Sequence, residues 1–478
     1  MIRRAPLLPI ALALMAGIAA QHWLPTVPHA VWWALAGATA VATGAMLVAR
    51  RRLDSYWPLV ALIICMVTIG ATLGRRHDPL YNTHDWSHHV AATERPEFIE
   101  LELTATPTPR ERSYMAKAKV RSIGGRPTEG ETKVYFKREE ASERLHYGDR
   151  LLAHCYLGGE RKTIYITSDH YIITGRDSTS LRARSEALRM RMLKRMQEGP
   201  LARRQAGIDE ALTLGWRADV EKETQEAFRD AGIAHLLAVS GLHVGLVAGI
   251  LGILCFFVPK TRRGRIAKGA VQLAGVWSFT LLSGMAPSTM RAALMFSLFI
   301  TSNILARRTP KMNLLACTAL MTLAARPMLL FDVGWQLSYS AVAGILLAKP
   351  VIMQYKDWLW QAATVSITAT LATLPVTLSV FHRMQPYSLI ANVAIVPLSG
   401  AVLALALAYM AVPCSATAWT LGVTLKGVEW VTSGVATLPG AVVETAGLGP
   451  WGTLAIAVAV TALLVAASRI NGKGYSER

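Results

Sequence analysis

Apolar blocks recur through this chain near 6–20, 30–49, 57–74, 234–258, 266–284, 286–306, 312–325, 335–349, 358–380, 387–412, 416–438 and 450–468, and basic loops separate them. A helix needs about 20 mostly apolar residues to cross a bilayer, where every backbone amide must be satisfied within the segment. The blocks predict an α-helical polytopic membrane protein with about 12 membrane segments. Two are weaker: 312–325 is short, and 416–438 carries Lys426 and Glu429, spaced to pair on one helix face. Either suits a re-entrant or interfacial helix. Composition agrees, with 52% hydrophobic and 17% charged residues among 478 and a mean hydropathy of +0.33. The first twenty residues imitate a signal peptide, with Arg3 and Arg4 before an apolar, Ala-rich stretch. Two further blocks follow at once, so an uncleaved first span is expected.

Basic residues set the orientation. Arg3 and Arg4, Arg50 to Arg52, Lys260 to Arg265, Arg307 with Arg308 and Lys311, Lys349 with Lys356, and Arg469 with Lys473 fall at alternate ends of the spans. Placing those ends in the cytoplasm puts both termini inside and the long polar segment 75–233 outside. The expected domains are N-terminal spans 1–76, an extracytoplasmic β domain 77–178, a basic helical segment 179–230 at the membrane surface, a helical membrane domain 231–470 and a cytoplasmic tail 471–478. Topology accounts for part of the net charge of +19. The excess in the outer segment points to a polyanion or to anionic lipid headgroups. Cys65, Cys255, Cys317 and Cys414 lie in or beside apolar blocks, which leaves Cys155 alone outside and no disulfide framework.

Within 97–175 short runs alternate as strands do. Ile99, Leu101 and Leu103 alternate with Glu100 and Glu102; Ala116, Ala118 and Val120 alternate with Lys117, Lys119 and Arg121; Val134 and Phe136 oppose Lys133, Tyr135 and Lys137. Further strands are expected near 150–157 and 163–174. Five strands in about eighty residues suit a small OB-like barrel. Its outer face, Lys117, Lys119, Arg121, Lys133, Tyr135 and Lys137, is either simply solvated or a track for a single strand. From 180 to 230 the pattern turns helical, opening with Arg182, Arg184, Arg189, Arg191, Lys194 and Arg195 among leucines and methionines, as in a helix resting on a membrane.

Polar residues inside the apolar blocks are the candidate site, because burying them in lipid requires partners or water. They are His235, Ser240, His243, Arg291, Asp332, Gln336 and Asn392. Opposite charge suggests that Arg291 pairs with Asp332. Gly241, Gly245 and Gly249 recur every four residues and form a ridge for close helix packing. Ser240 and His243 invite a hydrolase reading, but no oxyanion hole or third orienting group accompanies them. Gly125 and Gly130 have P-loop spacing without the Lys-Ser or Lys-Thr that must follow. The histidines and aspartates of 77–89 lack zinc spacing. No cofactor, metal or catalytic residue is expected.

The runs 231–244 (AGIAHLLAVSGLHV), 284–292 (GMAPSTMRA), 332–341 (DVGWQLSYSA) and 391–397 (ANVAIVP) resemble the ComEC competence family, in order and spacing across about 205–470. The N-terminal spans and OB-like domain are similar to that family's amino-terminal region. The resemblance implies an inner-membrane channel that passes one DNA strand to the cytosol during natural transformation. Many members end in a metallo-β-lactamase-like domain; no His-x-His-x-Asp-His motif occurs here, so a form without that domain is expected. The implied partners are single-stranded DNA, membrane lipids, a separate cytosolic motor or strand-binding protein, and a DNA-delivery protein, since no ATP-binding motif is present. A transporter of another anionic polymer or lipid, an intramembrane serine hydrolase and a non-catalytic scaffold stand as alternatives.

Overall fold

The structure, a computed structural model, describes residues 5–24, 28–48, 57–82, 84–90, 96–155, 163–166, 170–307 and 309–474. Arg3, Arg4, Arg50, Arg51, Arg52, Arg308 and the tail residues 475–478 lie outside them. The chain forms two compact units, Gly74–Arg195 and Met1–Leu73 with Met196–Arg478. The boundary expected after 178 therefore falls after 195.

In the smaller unit the main strands are β1 (Glu97–Leu103), β2 (Ser113–Ile123), β3 (Glu131–Lys137), β4 (Asp149–Cys155), β5 (Thr163–Ile166) and β6 (Tyr171–Arg176). They pair in the order β5-β3-β2-β1-β4-β6, antiparallel except for parallel β3 and β5. The run expected as one strand over 163–174 is two, at opposite ends of this path. No ladder joins β4 to β5, so a closed barrel is not formed by the described strands. Ile99, Leu101, Val120, Val134, Phe136, Leu151 and Ile164 share one fully buried core, each contributing about 1.5–3 kcal/mol by leaving water. Strict period-two alternation sends their neighbours outward. Asp149, fully buried, is held by Arg176 and by the backbone N–H of His146 at 2.8 Å. That partner raises the Arg176 guanidinium above its usual range.

The basic helix Leu181–Gln197 docks along this unit. Arg182 donates to the Thr104 carbonyl at 3.1 Å, Thr106 donates to Glu186 at 3.0 Å, and Glu186 pairs with the buried Arg189 at 3.2 Å. Its outward side carries Arg184, Leu188, Arg191 and Arg195.

In the larger unit a helix lies within each of the twelve apolar blocks, though not always over its whole length. Among the described residues, Trp57–His77, Trp358–Phe381, Ser388–Ala411 and Pro450–Ile470 are long and apolar enough to cross a membrane, whereas Leu7–Trp23, Ala30–Gly44, Gly241–Leu254, Lys311–Ala325 and Val333–Leu347 are apolar but shorter. The helix Ser415–Ala436 does not pair Lys426 with Glu429; Glu429 accepts from Arg204 at 2.7 Å. That arginine lies on the helix Arg203–Leu214, which packs against Ser388–Ala411 and Ser415–Ala436 and buries every residue from Gln205 to Leu214. The segment 196–230 is thus part of the helical unit.

The backbones of the first and third helices approach closely at two glycines. A Cβ at Gly17 would lie 1.9 Å from the Val67 carbonyl oxygen, and one at Gly70 would lie 2.3 Å from that of Leu14. Small residues permit such contact where dispersion, not water, drives association. Gly17→Val is expected to force these helices apart and lower the midpoint of thermal aggregation in detergent, an overpacking cost of about 1–3 kcal/mol or more. Gly37, with nothing within 4 Å of its Cβ position, supplies the control: Gly37→Val should leave the midpoint unchanged.

Candidate functional site

The polar residues of the apolar blocks lie at or within two turns of the starts of four helices. Ser240 precedes Gly241–Leu254, Arg291 lies in the second turn of Pro287–Ile304, Asp332 precedes Val333–Leu347 with Gln336 one turn on, and Asn392 is the fifth residue of Ser388–Ala411. These helices pack in series, Val333–Leu347 on Pro287–Ile304, that helix on Gly241–Leu254, and Gly241–Leu254 on Ser388–Ala411. Helix N-termini carry unpaired amides and a positive partial charge. Hydrogen bonds tie three of the starts together: Ser288 donates to the Val239 carbonyl at 2.8 Å, and Arg291 donates to that of Gly334 at 3.0 Å.

The block read as 234–258 is helical only from Gly241, so His235 and Ser240 sit in a turn and not inside a spanning helix. Ser240 ends that turn as the helix cap, with extended backbone at φ −113° and ψ 177°. Its backbone N–H donates to His243 Nδ1 at 3.3 Å, and its hydroxyl lies 3.0 Å from the same nitrogen. An N–H can only donate, so neutral His243 carries its proton on Nε2. Fully buried, Nε2 has no protein acceptor among the described residues. Local capping thus explains one side of the imidazole and leaves the other unused.

Arg291 and Asp332 do not form the expected ion pair. Asp332 caps its own helix, accepting the Trp335 N–H at 2.7 Å, and the arginine reaches past it to a carbonyl. Capping wins because the first-turn amides are nearer and have no other partner. Arg291 is 6% exposed and its Nε lacks an acceptor among the described residues. Gln336 donates to the Leu330 carbonyl at 2.9 Å, while Asn392 Oδ1 is buried without a donor. His235 is exposed to solvent.

The glycine ridge is real at two positions of three. Gly241 faces the Ala292 methyl at 3.7 Å, and a Cβ at Gly245 would meet Phe296 at 2.8 Å, but Gly249 faces nothing within 4 Å. Next to the ridge, Met285 takes a left-handed φ of 52° after Gly284 at 77°, a strain of about 1–3 kcal/mol for a residue with a Cβ.

In the β unit, register places Lys117, Lys119, Arg121, Lys133, Tyr135 and Lys137 on one outward face. Arg121 is paired with Glu102, Lys137 with Glu139 at 2.9 Å, and Lys119 sits opposite Glu102 and Glu131. Lys117 and Lys133 are directly opposite one another. Like charges so placed repel. Beside them Tyr135 stacks on Tyr165, centroids 5.1 Å apart. Tyr165 was legible in principle, since it has outward parity between the buried Ile164 and Ile166.

Several helices long and apolar enough to cross a membrane, with a separate β unit, fit a helical membrane protein. The family described as Competence protein matches residues 212–470, more than half of the chain. The chain belongs to this family, the ComEC family that the motifs at 231–244 and 284–292 resemble. It is similar to ComE operon protein 3 of Bacillus subtilis, 33% identical over 191 residues, 40% of this chain and 24% of the relative. Uncharacterized protein YcaI of Escherichia coli is 27% identical over 264 residues, 50% and 34% of the two chains. Recombination protein 2 of Haemophilus influenzae is 28% identical over 240 residues, 46% and 29%. The matched region spans about a third or less of each of these relatives. No solved structure matches the chain.

Proposed function

We propose that this protein passes single-stranded DNA across the inner membrane during natural transformation, with its β unit outside and both termini in the cytoplasm. One observation carries the reading: buried donors on His243 and Arg291 have no protein acceptor among the described residues, and they stand at helix starts that favour anions. Unsatisfied donors in an apolar bundle imply water or a passing polar ligand. A strand with one charge per nucleotide needs such a wet lining and no dense fixed charge that would trap it. Membership in the Competence family, and the names of its competence and recombination relatives, make DNA the polyanion. About twelve membrane segments accord with the alternating basic loops.

The order β5-β3-β2-β1-β4, with one parallel pair and a gap between β4 and β5, supports a partly open Greek-key barrel of the OB type. Strand capture falls to Lys117, Lys133, Tyr135 and Tyr165, with Lys119, Arg121 and Lys137 flanking. Without a nucleotide-binding motif among these residues, a cytosolic motor or strand-binding protein supplies the pull. Deleting the gene should abolish transformation by exogenous DNA while DNA still binds the cell surface, and complementation should restore it. Undiminished transformation, or lipid flipping by the purified protein without DNA transport, would end the proposal.

The Ser240 Oγ to His243 Nδ1 distance of 3.0 Å keeps a serine hydrolase in view. In a working triad the second imidazole nitrogen is held by an acid, whereas here it has no partner among the described residues. A fluorophosphonate probe is accordingly expected to leave Ser240 unlabelled; stoichiometric labelling lost in Ser240→Ala would reverse that conclusion.

A further inference from the structure

We propose that Phe98 and His154 form a second stacking platform for a DNA strand, so that the β unit holds the strand at both ends of β2; this rests on the reading of the sheet face as the capture site. Phe98 on β1 and His154 on β4 stand directly opposite one another, ring centroids 4.6 Å apart and planes 30° from parallel. Phe98 is 58% exposed. Its parity is outward, whereas the neighbouring Ile99, Ala153 and Cys155 point into the core. The pair repeats, on other strands, what Tyr135 and Tyr165 present, with planes 18° from parallel and Tyr165 63% exposed. Each pair offers a flat face on which any base can stack.

Register fixes where the two platforms lie. Tyr135 is opposite Met115, near the start of β2, and the Gly124 N–H, just past its end, donates to the Phe98 carbonyl at 2.9 Å. Met115 and Gly124 are about 30 Å apart along the strand at ~3.3 Å per residue, less any bend. An extended strand of about five nucleotides covers that length, within the ~4–16 that an OB-type fold binds.

Between the platforms the outward side of β2 carries Lys117, Lys119 and Arg121. Glu100 and Glu102, the outward acids of β1, are turned to Ser122 and Arg121. Phosphates thus meet cations along β2 while bases reach an aromatic pair at each end. A second copy of the chain would need only the apolar patch that Phe98 forms with Leu152 and Ile172 on the strands beside it. It would have no use for a basic row that joins two such pairs, and a polyanion with flat bases uses both.

Binding of the full protein in detergent to fluorescent oligothymidylates of ~3 and ~12 nucleotides tests the second platform, since only the longer one reaches from one pair to the other. Phe98→Ala should weaken the longer one roughly 5- to 150-fold and leave the shorter one, held at Tyr135 beside Lys117 and Lys133, unchanged. Tyr135→Ala should weaken both. Phe98→Leu, which keeps an apolar side chain and removes the ring, should fall with Phe98→Ala, and Phe98→Trp should bind as tightly as wild type; these two carry the test if the alanine variant fails to fold. Equal binding of the longer oligonucleotide by wild type and Phe98→Leu, or equal losses at both lengths, would overturn the proposal. A smaller particle mass of Phe98→Leu in detergent, with unchanged binding, would assign the patch to a second copy instead. A loss in Tyr135→Ala without one in Phe98→Leu leaves capture standing and removes the second platform alone, whereas wild type that binds neither length removes the capture site and the platform with it.

Discussion

Arg291→Met should accumulate in the membrane, bind DNA at the cell surface as wild type does, and take it up roughly 30- to 150-fold more slowly, for a loss of about 2–3 kcal/mol of charge-assisted hydrogen bonding. The variant should fold, because replacing a buried charge by an apolar side chain of similar length is often neutral. What it leaves behind is a Gly334 carbonyl without its side-chain donor, still free to accept within its own helix. Arg291→Lys keeps the charge but loses the planar fork, so its uptake should fall between the two. Internalised fluorescent DNA, scored against surface-bound DNA in the same cells, gives the answer. Normal uptake by Arg291→Met would take this residue out of the lining.

The second large effect is expected at the sheet face. Lys117→Ala with Lys133→Ala should reduce the salt slope of single-strand binding by about 1.4, at ~0.7 for each phosphate that is no longer neutralised. Tyr135→Ala should cost about 1–3 kcal/mol, because the Tyr165 platform loses its partner and a base loses a stacking surface. Arg121→Ala should matter less, since its charge is already met by Glu102. Salt titrations of the full protein with fluorescent oligonucleotides distinguish these cases. If Arg121→Ala and the double lysine variant weaken binding equally, the face acts only as diffuse charge.

Removing the like-charged pair Lys117 and Lys133 should also relieve cross-strand repulsion. Weaker binding with equal or higher stability would mark these two lysines as placed for a ligand and not for the fold.

Period-two alternation made β1 to β4 legible, because one face of each strand is buried and the other wet. The end of the sheet was less so: 163–174 reads as one run, and only the pairing shows β5 beside β3 and β6 beside β4. Polar residues within apolar blocks were visible as anomalies, yet their partners were not. Arg291 with Asp332 was the natural guess from charge, and Lys426 with Glu429 from spacing; the structure gives Arg291 a carbonyl and Glu429 to Arg204. The adjacent acids Asp209 and Glu210 stood in a segment read as surface helix. Nothing local announces that ten consecutive residues of a polar helix will be buried.

Sequence by itself determined the class of the molecule, the helical blocks, the outward basic face and the family. All but the family, which rests on the motifs at 231–244, 284–292, 332–341 and 391–397, follow from the cost of exposing or burying side chains along one segment, a cost that needs no knowledge of neighbours. Tertiary structure alone decided which glycines bring helices together, that Gly17 and Gly70 do so and Gly249 does not. It alone brought four helices with polar starts into one packed series. Those arrangements depend on which helix faces which, and a hydrogen bond to a distant backbone carbonyl leaves no mark on the pattern of residue types.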